Sequence, residues 1–319
     1  QVLHDRFAVE RRRAALAVVF AAACLGVPSV ATAEGIKVGV LTTTGAGPLY
    51  LAVEKGYFAA EGLDYEFRET FDSKEAKNHQ QGDKFGAYQT FEKGREGDVS
   101  CACHWTVNVA AAAGHGLLYA DAYSVSPCAI FVPPESEIRH PRDLAGVPIS
   151  VGYQSGSHYS TIQALETYLK TDQINLSFAD GMLFSRLELL IDRKIPAASL
   201  FSGPYYFLEQ LGFRKIIDST FMMASMVKEG SDPADIRKYF AALRRAQHDI
   251  DLRPELYTHY YKNEFPVRFH EQMDTGRWGP GERIVFEPYS KETFEESQHW
   301  IDALRLYLVP GMTHCGGGE

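Results

Sequence analysis

A β-type run, a small-residue loop and a helix-forming segment follow one another twice in this chain, and the duplication leaves few architectures open. The first copy is Ile36-Lys37-Val38-Gly39-Val40-Leu41, then Thr42-Thr43-Thr44-Gly45-Ala46-Gly47-Pro48, then Leu49-Tyr50-Leu51-Ala52-Val53-Glu54-Lys55. The second opens after the punctuation of Pro133-Pro134 and Pro141-Arg142-Asp143-Leu144-Ala145-Gly146. There Val147-Pro148-Ile149-Ser150-Val151-Gly152 reads as a strand and Gln154-Ser155-Gly156-Ser157-His158 as the loop, after which Ile162, Leu165 and Leu169 fall at helical spacing. Strands alternating with helices build a sheet whose loops gather at the carboxyl ends of its parallel strands, where a ligand sits. In 319 residues, enough for two separate cores, the expected fold is α/β with two lobes and a ligand cleft between them.

The rest of the chain fits this layout. Asp64-Tyr65-Glu66-Phe67-Arg68 and Asp98-Val99-Ser100-Cys101-Ala102-Cys103 read as further strands of the first lobe, the latter leading through His104-Trp105 into a helix that Thr106 would cap. Ala197-Ala198-Ser199-Leu200-Phe201 runs into Ser202-Gly203-Pro204-Tyr205-Tyr206, and Phe221-Met222-Met223-Ala224-Ser225-Met226-Val227 reads as a return strand. From Asp232-Pro233 onward the pattern is mostly helical, Asp232 suiting the cap and Pro233 the first helical position. Two extended crossings, near residues 124–130 and 219–227, imply a hinge. Lobe one is expected over 34–125 and 222–300, lobe two over 129–219, and a tail over 301–319. Closure of such a cleft around a ligand is an established type of domain motion.

The N-terminus carries an export signal. Arg11-Arg12-Arg13, an apolar run from Ala14 to Val27 and Ala31-Thr32-Ala33 read as a cleaved signal peptide over 1–33, which places the mature chain in the periplasm. Cys24 after Ala21-Ala22-Ala23 offers a site for a lipid anchor. The net charge is −9, and residues 1–33 hold four basic and two acidic side chains, so the remainder carries −11. An acidic body of that kind repels nucleic acid, and no nucleic-acid partner is expected. Cys101, Cys103, Cys128 and Cys315 permit disulfides in an oxidising compartment without proving any.

Several residues are candidates for ligand contact. Ser155, Ser157 and His158 lie in a loop at a helix start, where free N–H groups and hydroxyls meet the positive end of the helix dipole; such a loop suits an organic anion, or it simply caps the helix. Thr42, Thr43 and Thr44 form the corresponding loop of the first lobe, with the same two readings. His104 and Trp105 offer a hydrogen bond and a stacking surface to a flat ligand, or a Trp packed between lobes beside a structural His. Ser202 and Tyr205 carry the same pair of readings. Together these side chains suggest a small organic anion with aromatic character. Cys101, Cys103 and His104 lack the paired C-x-x-C spacing of structural zinc, so no metal is expected. No H-E-x-x-H, G-x-S-x-G or P-loop motif occurs, and no cofactor or catalytic residue is expected.

The passage Gly47-Pro48-Leu49-Tyr50-Leu51-Ala52-Val53-Glu54-Lys55-Gly56-Tyr57-Phe58-Ala59-Ala60-Glu61-Gly62-Leu63 resembles the first helix and turn of the substrate-binding proteins that serve nitrate, sulfonate, taurine and thiamine-precursor transporters, a group with the type II periplasmic binding fold. Pro141-Arg142-Asp143-Leu144-Ala145-Gly146 and the Gly/Ser loop after it add to the likeness, which extends over about residues 36–300. The resemblance implies the solute-binding component of an ABC-type uptake system, monomeric, handing its ligand to an inner-membrane permease. It departs from the group's pattern over residues 71–96, which are longer and more charged, and at Cys103-His104-Trp105, where small residues are usual. Two enzymatic alternatives stand beside it. One is an enzyme on the same fold, similar to the thiamine-pyrimidine synthases. The other arises from Leu304-Arg305-Leu306-Tyr307-Leu308-Val309-Pro310-Gly311-Met312-Thr313-His314-Cys315-Gly316-Gly317-Gly318, which looks like the C-terminal motif of tannases and feruloyl esterases. In that family the His is the catalytic base and the adjacent Cys forms a disulfide beside the nucleophilic Ser. Here no Cys-Ser-x-Gly-Gly elbow accompanies His314, and a base without its nucleophile does not run that reaction.

Overall fold

A computed structural model describes residues 36–40, 47–69, 97–178 and 182–308. The expected signal peptide, Cys24, Thr42 to Thr44, the whole charged stretch 71–96, and the tail from 309 with His314 and Cys315 lie outside the described residues.

Two mixed sheets organise the chain. The first has the strand order β12-β5-β11-β3-β1-β2, with β4 also paired to β11, where β1 is Ile36–Val40, β2 Tyr65–Glu69, β3 Val99–Cys103, β4 Leu117–Leu118, β5 Tyr123–Ser126, β11 Phe221–Val227 and β12 Arg283–Val285. The second has the order β10-β6-β9-β7-β8, from β6 Cys128–Val132, β7 Ile149–Ser150, β8 Leu176–Ser177, β9 Ala197–Phe201 and β10 Arg214–Asp218. Each sheet contains a parallel trio, β2-β1-β3 in one and β8-β7-β9 in the other. Each trio is flanked by an antiparallel strand fed from a crossing, β11 beside β3 and β6 beside β9. The duplicated strand, loop and helix of the sequence therefore become two related α/β lobes.

The crossings are short. Only Pro127 separates β5 of the first sheet from β6 of the second, and only Ser219 and Thr220 separate β10 from β11 on the way back. Every residue of β6 and β9 is buried, as befits near-continuously apolar runs covered on both faces. In the first lobe, α1 (Gly47–Glu54) and α2 (Tyr57–Ala60) pack under the long α7 (Pro233–Leu252), whose Ile236, Tyr239, Phe240, Leu243 and Ile250 form one apolar stripe. Asp232 caps α7, its Oδ1 accepting from the Ala234 N–H at 2.7 Å, with Pro233 at the first helical position.

Two local expectations are corrected. The helix after β3, α3 (His104–Ala112), begins two residues before Thr106, with Cys103 at its N-cap. Thr106 is freed from capping because its hydroxyl donates to the Gln154 carbonyl at 2.9 Å and lies 2.9 Å from the Cys103 thiol. Beyond α7 the chain does not continue as regular helix; residues 254–277 contain four short 3-10 turns, over Pro254–Leu256, Thr258–Asn263, Val267–Phe269 and Thr275–Arg277, interrupted at Pro254 and Pro266. The remaining helices are α4 (Gly156–Leu165), α5 (Leu183–Ile191), α6 (Gly203–Gln210) and α8 (Lys291–Leu308). Among the described residues no helix is long and apolar enough to cross a membrane.

Candidate functional site

The loops that leave the carboxyl ends of β3, β7 and β9 meet where the lobes face each other. His104 and Trp105 come from β3 in the first lobe. Trp105 is 2% exposed and acts as a wedge: its ring centroid lies 5.6 Å from Tyr159 of α4, 6.4 Å from Phe221 at the second crossing and 5.8 Å from Trp300 of α8. The Trp300 indole donates to Glu166 at the end of α4 at 3.2 Å, and Thr106 bonds to Gln154, so these contacts tie the first lobe to α4 and the loop before it. His104 Nδ1 lies 3.0 Å from the Met222 carbonyl, which can only accept, so Nδ1 carries a proton. Burial lowers the His104 pKa to about 4, against a smaller opposing effect of the Met222 hydrogen bond.

The β7 loop satisfies its own polar groups. Ser155 Oγ donates to the Gly152 carbonyl at 2.7 Å and lies 2.7 Å from Ser157 Oγ, which in turn accepts from the Gly152 N–H at 3.0 Å. His158 Nδ1 accepts from the Gln154 N–H at 3.1 Å, and its ring stacks on Tyr159 and Tyr153. Gln154 holds φ at +50°, an uncommon conformation for a side chain-bearing residue. The loop is thus a self-bonded turn that aims α4 at the first lobe.

Ser202, after β9, differs. Its backbone lies at φ 56° and ψ −132°, a sparsely populated region that costs on the order of 1–3 kcal/mol and persists only where surroundings enforce it. The enforcing contact is the Ser202 N–H donating to the Pro127 carbonyl at 3.0 Å, which ties the β9 loop to the first crossing. The Ser202 hydroxyl is buried and has no hydrogen-bond partner among the described residues.

Ser202 lines a shallow recess that opens to solvent. Gly47 at the start of α1 and Ile250 of α7 contribute from the first lobe. Pro254, Tyr257, Thr258, Tyr260, Tyr261 and Glu264 come from the 3-10 segment, and Pro280 and Glu282 from the turn before β12. Glu282 is the second residue there with an unpartnered atom: its Oε2 is fully buried and bonds to nothing among the described residues. Burial raises the Glu282 pKa to about 7, opposed by a hydrogen bond with Ser124 of β5. Tyr261 is held in the wall by its hydroxyl, which donates to the Gly279 carbonyl at 2.8 Å. Gly281, at φ +76°, permits this approach, since a Cβ there would fall 2.3 Å from the Tyr261 hydroxyl. Tyr260 donates to Glu54, and Tyr50 stacks on the Tyr260 ring at 5.6 Å. No Lys, Arg or His is among the described residues lining the recess.

Of the residues singled out in the sequence, Ser202 lines this recess. His104, Trp105, Ser155, Ser157 and His158 gather at the contact between lobes. Tyr205 points elsewhere: its ring packs edge-on against Phe131 and under the Lys215 ammonium, which also bonds its hydroxyl. Thr42, Thr43 and Thr44 lie outside the described residues. Sequence reasoning missed Tyr257, Tyr261, Glu264 and Glu282; three tyrosines within Tyr257-Thr258-His259-Tyr260-Tyr261, followed by Glu264, were the available signal. The thiols of Cys101, Cys103 and Cys128 are free, and burial raises all three, Cys101 and Cys103 to about 11, which leaves them protonated and unreactive at neutral pH.

Comparison with solved structures gives the fold its name. The alkanesulfonate-binding protein SsuA from Xanthomonas axonopodis pv. citri, solved with bound MOPS, superposes with a TM-score of 0.63 at 17% identity over 86% of this chain and 94% of that one. The periplasmic aliphatic sulphonate binding protein SsuA from Escherichia coli gives 0.61 at 18% identity, over 90% and 96%. The desulfurization enzyme DszB gives 0.50 at 13% identity, over 85% and 93%, so the same architecture also carries an enzyme. These likenesses establish the two-lobed α/β fold of type II periplasmic binding proteins. No curated protein sequence matches the chain. Residues 43–202, half of the chain and the span from the first loop to the strained Ser202, match the family described as NMT1/THI5 like, and the protein belongs to that family.

Proposed function

We propose that this protein is the solute-capturing component of an ABC-type uptake system: it holds a small organic molecule in the recess between its lobes, closes on it, and presents the closed form to an inner-membrane permease. It acts as a monomer in the periplasm. The observation that carries this reading is a solvent-connected recess walled from both lobes, in which two buried polar atoms, Ser202 Oγ and Glu282 Oε2, lack partners among the described residues. Buried polar groups are almost always hydrogen-bonded, and a ligand supplying both bonds explains why these are not. The likeness to sulfonate-binding proteins supports the role through the fold. Of the ligand properties expected from the sequence, aromatic or flat character suits the tyrosine-lined wall. A net negative charge finds no cationic side chain among the described lining residues.

Incubating the full chain with a pool of small metabolites, separating it by gel filtration and weighing what it retains tests the proposal. A compound recovered unchanged, at one equivalent per chain, is the expected result. A compound recovered as a different mass makes this an enzyme on the same fold and sinks the receptor reading.

A further inference from the structure

The lining of the recess bears on the class of solute. Three tyrosines, Tyr257, Tyr260 and Tyr261, line it, and aromatic side chains attract positive charge through their ring faces. Burial pushes the Tyr261 phenol well above its usual range, and Tyr206 and then the two carboxylates of the recess, Glu264 and Glu282, add to it. Burial raises the Tyr50 phenol too, with Glu264 adding to it. The two unpartnered atoms add a directional requirement. An ionised carboxylate accepts hydrogen bonds and donates none, and burying it without a cation is costly. An anion placed here would meet the like charge of an ionised Glu282, and no Lys, Arg or His is among the described residues that line the recess.

From this lining we infer that the solute is an organic cation bearing N–H groups, a protonated amine, guanidinium or amidinium. Its N–H donors bond Glu282 Oε2 and Ser202 Oγ, while its charge lies against the Tyr257 and Tyr261 rings. This inference rests on the receptor reading and adds to it the charge and hydrogen-bonding character of the solute. It places the protein apart from the sulfonate-binding proteins whose fold it shares.

Isothermal titration calorimetry on the full chain at pH 7.5 tests it with three probes of similar size: butylammonium, butyltrimethylammonium and butanesulfonate. Butylammonium binds tightest. The trimethyl compound keeps the charge but has no N–H, and binds about tenfold or more weakly, the loss expected when a charge-assisted hydrogen bond is absent. Butanesulfonate does not bind measurably. Glu282→Gln weakens butylammonium by about tenfold or more, and Glu264→Gln weakens it by a smaller factor. Tighter binding of the sulfonate than of the amine overturns the inference and leaves the receptor reading intact. Equal affinity for the amine and its trimethyl analogue overturns the hydrogen-bonding assignment. Binding of none of the three overturns the inference, whereas the receptor reading falls only if retained metabolites come back altered. The probe comparison on the wild-type chain needs no variant, so it stands even if Glu282→Gln folds poorly.

Discussion

Glu282 and His104 titrate in opposite senses, and each gives a separate signature. Burial raises the Glu282 pKa from 4.5 to about 7, so the folded chain holds that proton more tightly than the unfolded one. The stability this provides is fully present below pH 4.5 and is lost as pH rises through 7; each tenfold difference in proton affinity between folded and unfolded chain is worth about 1.4 kcal/mol, so the loss is at most about 3 kcal/mol. The ligand-free Glu282→Gln variant is therefore more stable than wild type by about 1–3 kcal/mol at pH 8 and nearly equal to it at pH 4, measured by urea unfolding. Equal stabilities at both pH values would contradict a buried Glu282. His104 runs the other way. Its folded pKa of about 4 lies below the usual 6.5, so its contribution is present above pH 6.5 and lost as pH falls through 4, again at most about 3 kcal/mol. His104→Gln, which does not titrate, should flatten the acid limb of the stability curve, and an unchanged limb would show that the ring is not buried. His104 was visible in the sequence because it follows a strand and leads into a helix. Glu282 was not, because Gly281-Glu282-Arg283 looks like a solvated turn until β12 pairs with β5 and draws it inward.

Elements in this chain were legible in proportion to how local their determinants are. The return strand Phe221–Val227 and the cap of α7 follow from a continuous apolar run and from an Asp-Pro pair, both within one window of sequence. Strands β5 and β12 are only four and three residues long, and they exist because they pair with each other and, for β5, with β11. Nothing in their own residues demands it. The 3-10 segment that lines the recess fell inside a stretch read as helix, since its aromatic content is compatible with either and only its prolines argue otherwise. Asp232→Ala, which removes the hydrogen bond to the Ala234 N–H, should cost about 1 kcal/mol in unfolding free energy without altering solute affinity. Gly156→Ala has a different reach. A Cβ at Gly156 would lie 2.3 Å from the Phe221 ring, which is packed against Trp105 and Phe201, so the first turn of α4 must move off the crossing. The expected cost is about 1–3 kcal/mol, with a loosened contact between lobes seen as faster amide exchange at the N-terminus of α4. Exchange as slow as in the wild type would mean that Phe221 rotates away freely.

Across the whole molecule, two related sheets are joined by two short crossings, at Pro127 and at Ser219–Thr220, with aromatic contacts around Trp105 holding the lobes together. Trp105→Ala removes a side chain buried between both lobes and Trp300, and a loss of about 3–5 kcal/mol is expected. If the solute sits in the recess that Gly47 and Ser202 wall from opposite lobes, the lobes approach when it binds, because contacts from both sides exist together only in the closed state. Small-angle X-ray scattering of the full chain, with and without a saturating amount of the solute it retains, measures this directly. The receptor reading predicts a smaller radius of gyration with solute present and a return to the starting value when it is dialysed away. An unchanged radius at saturation would contradict closure between the lobes and move the binding site elsewhere on the molecule.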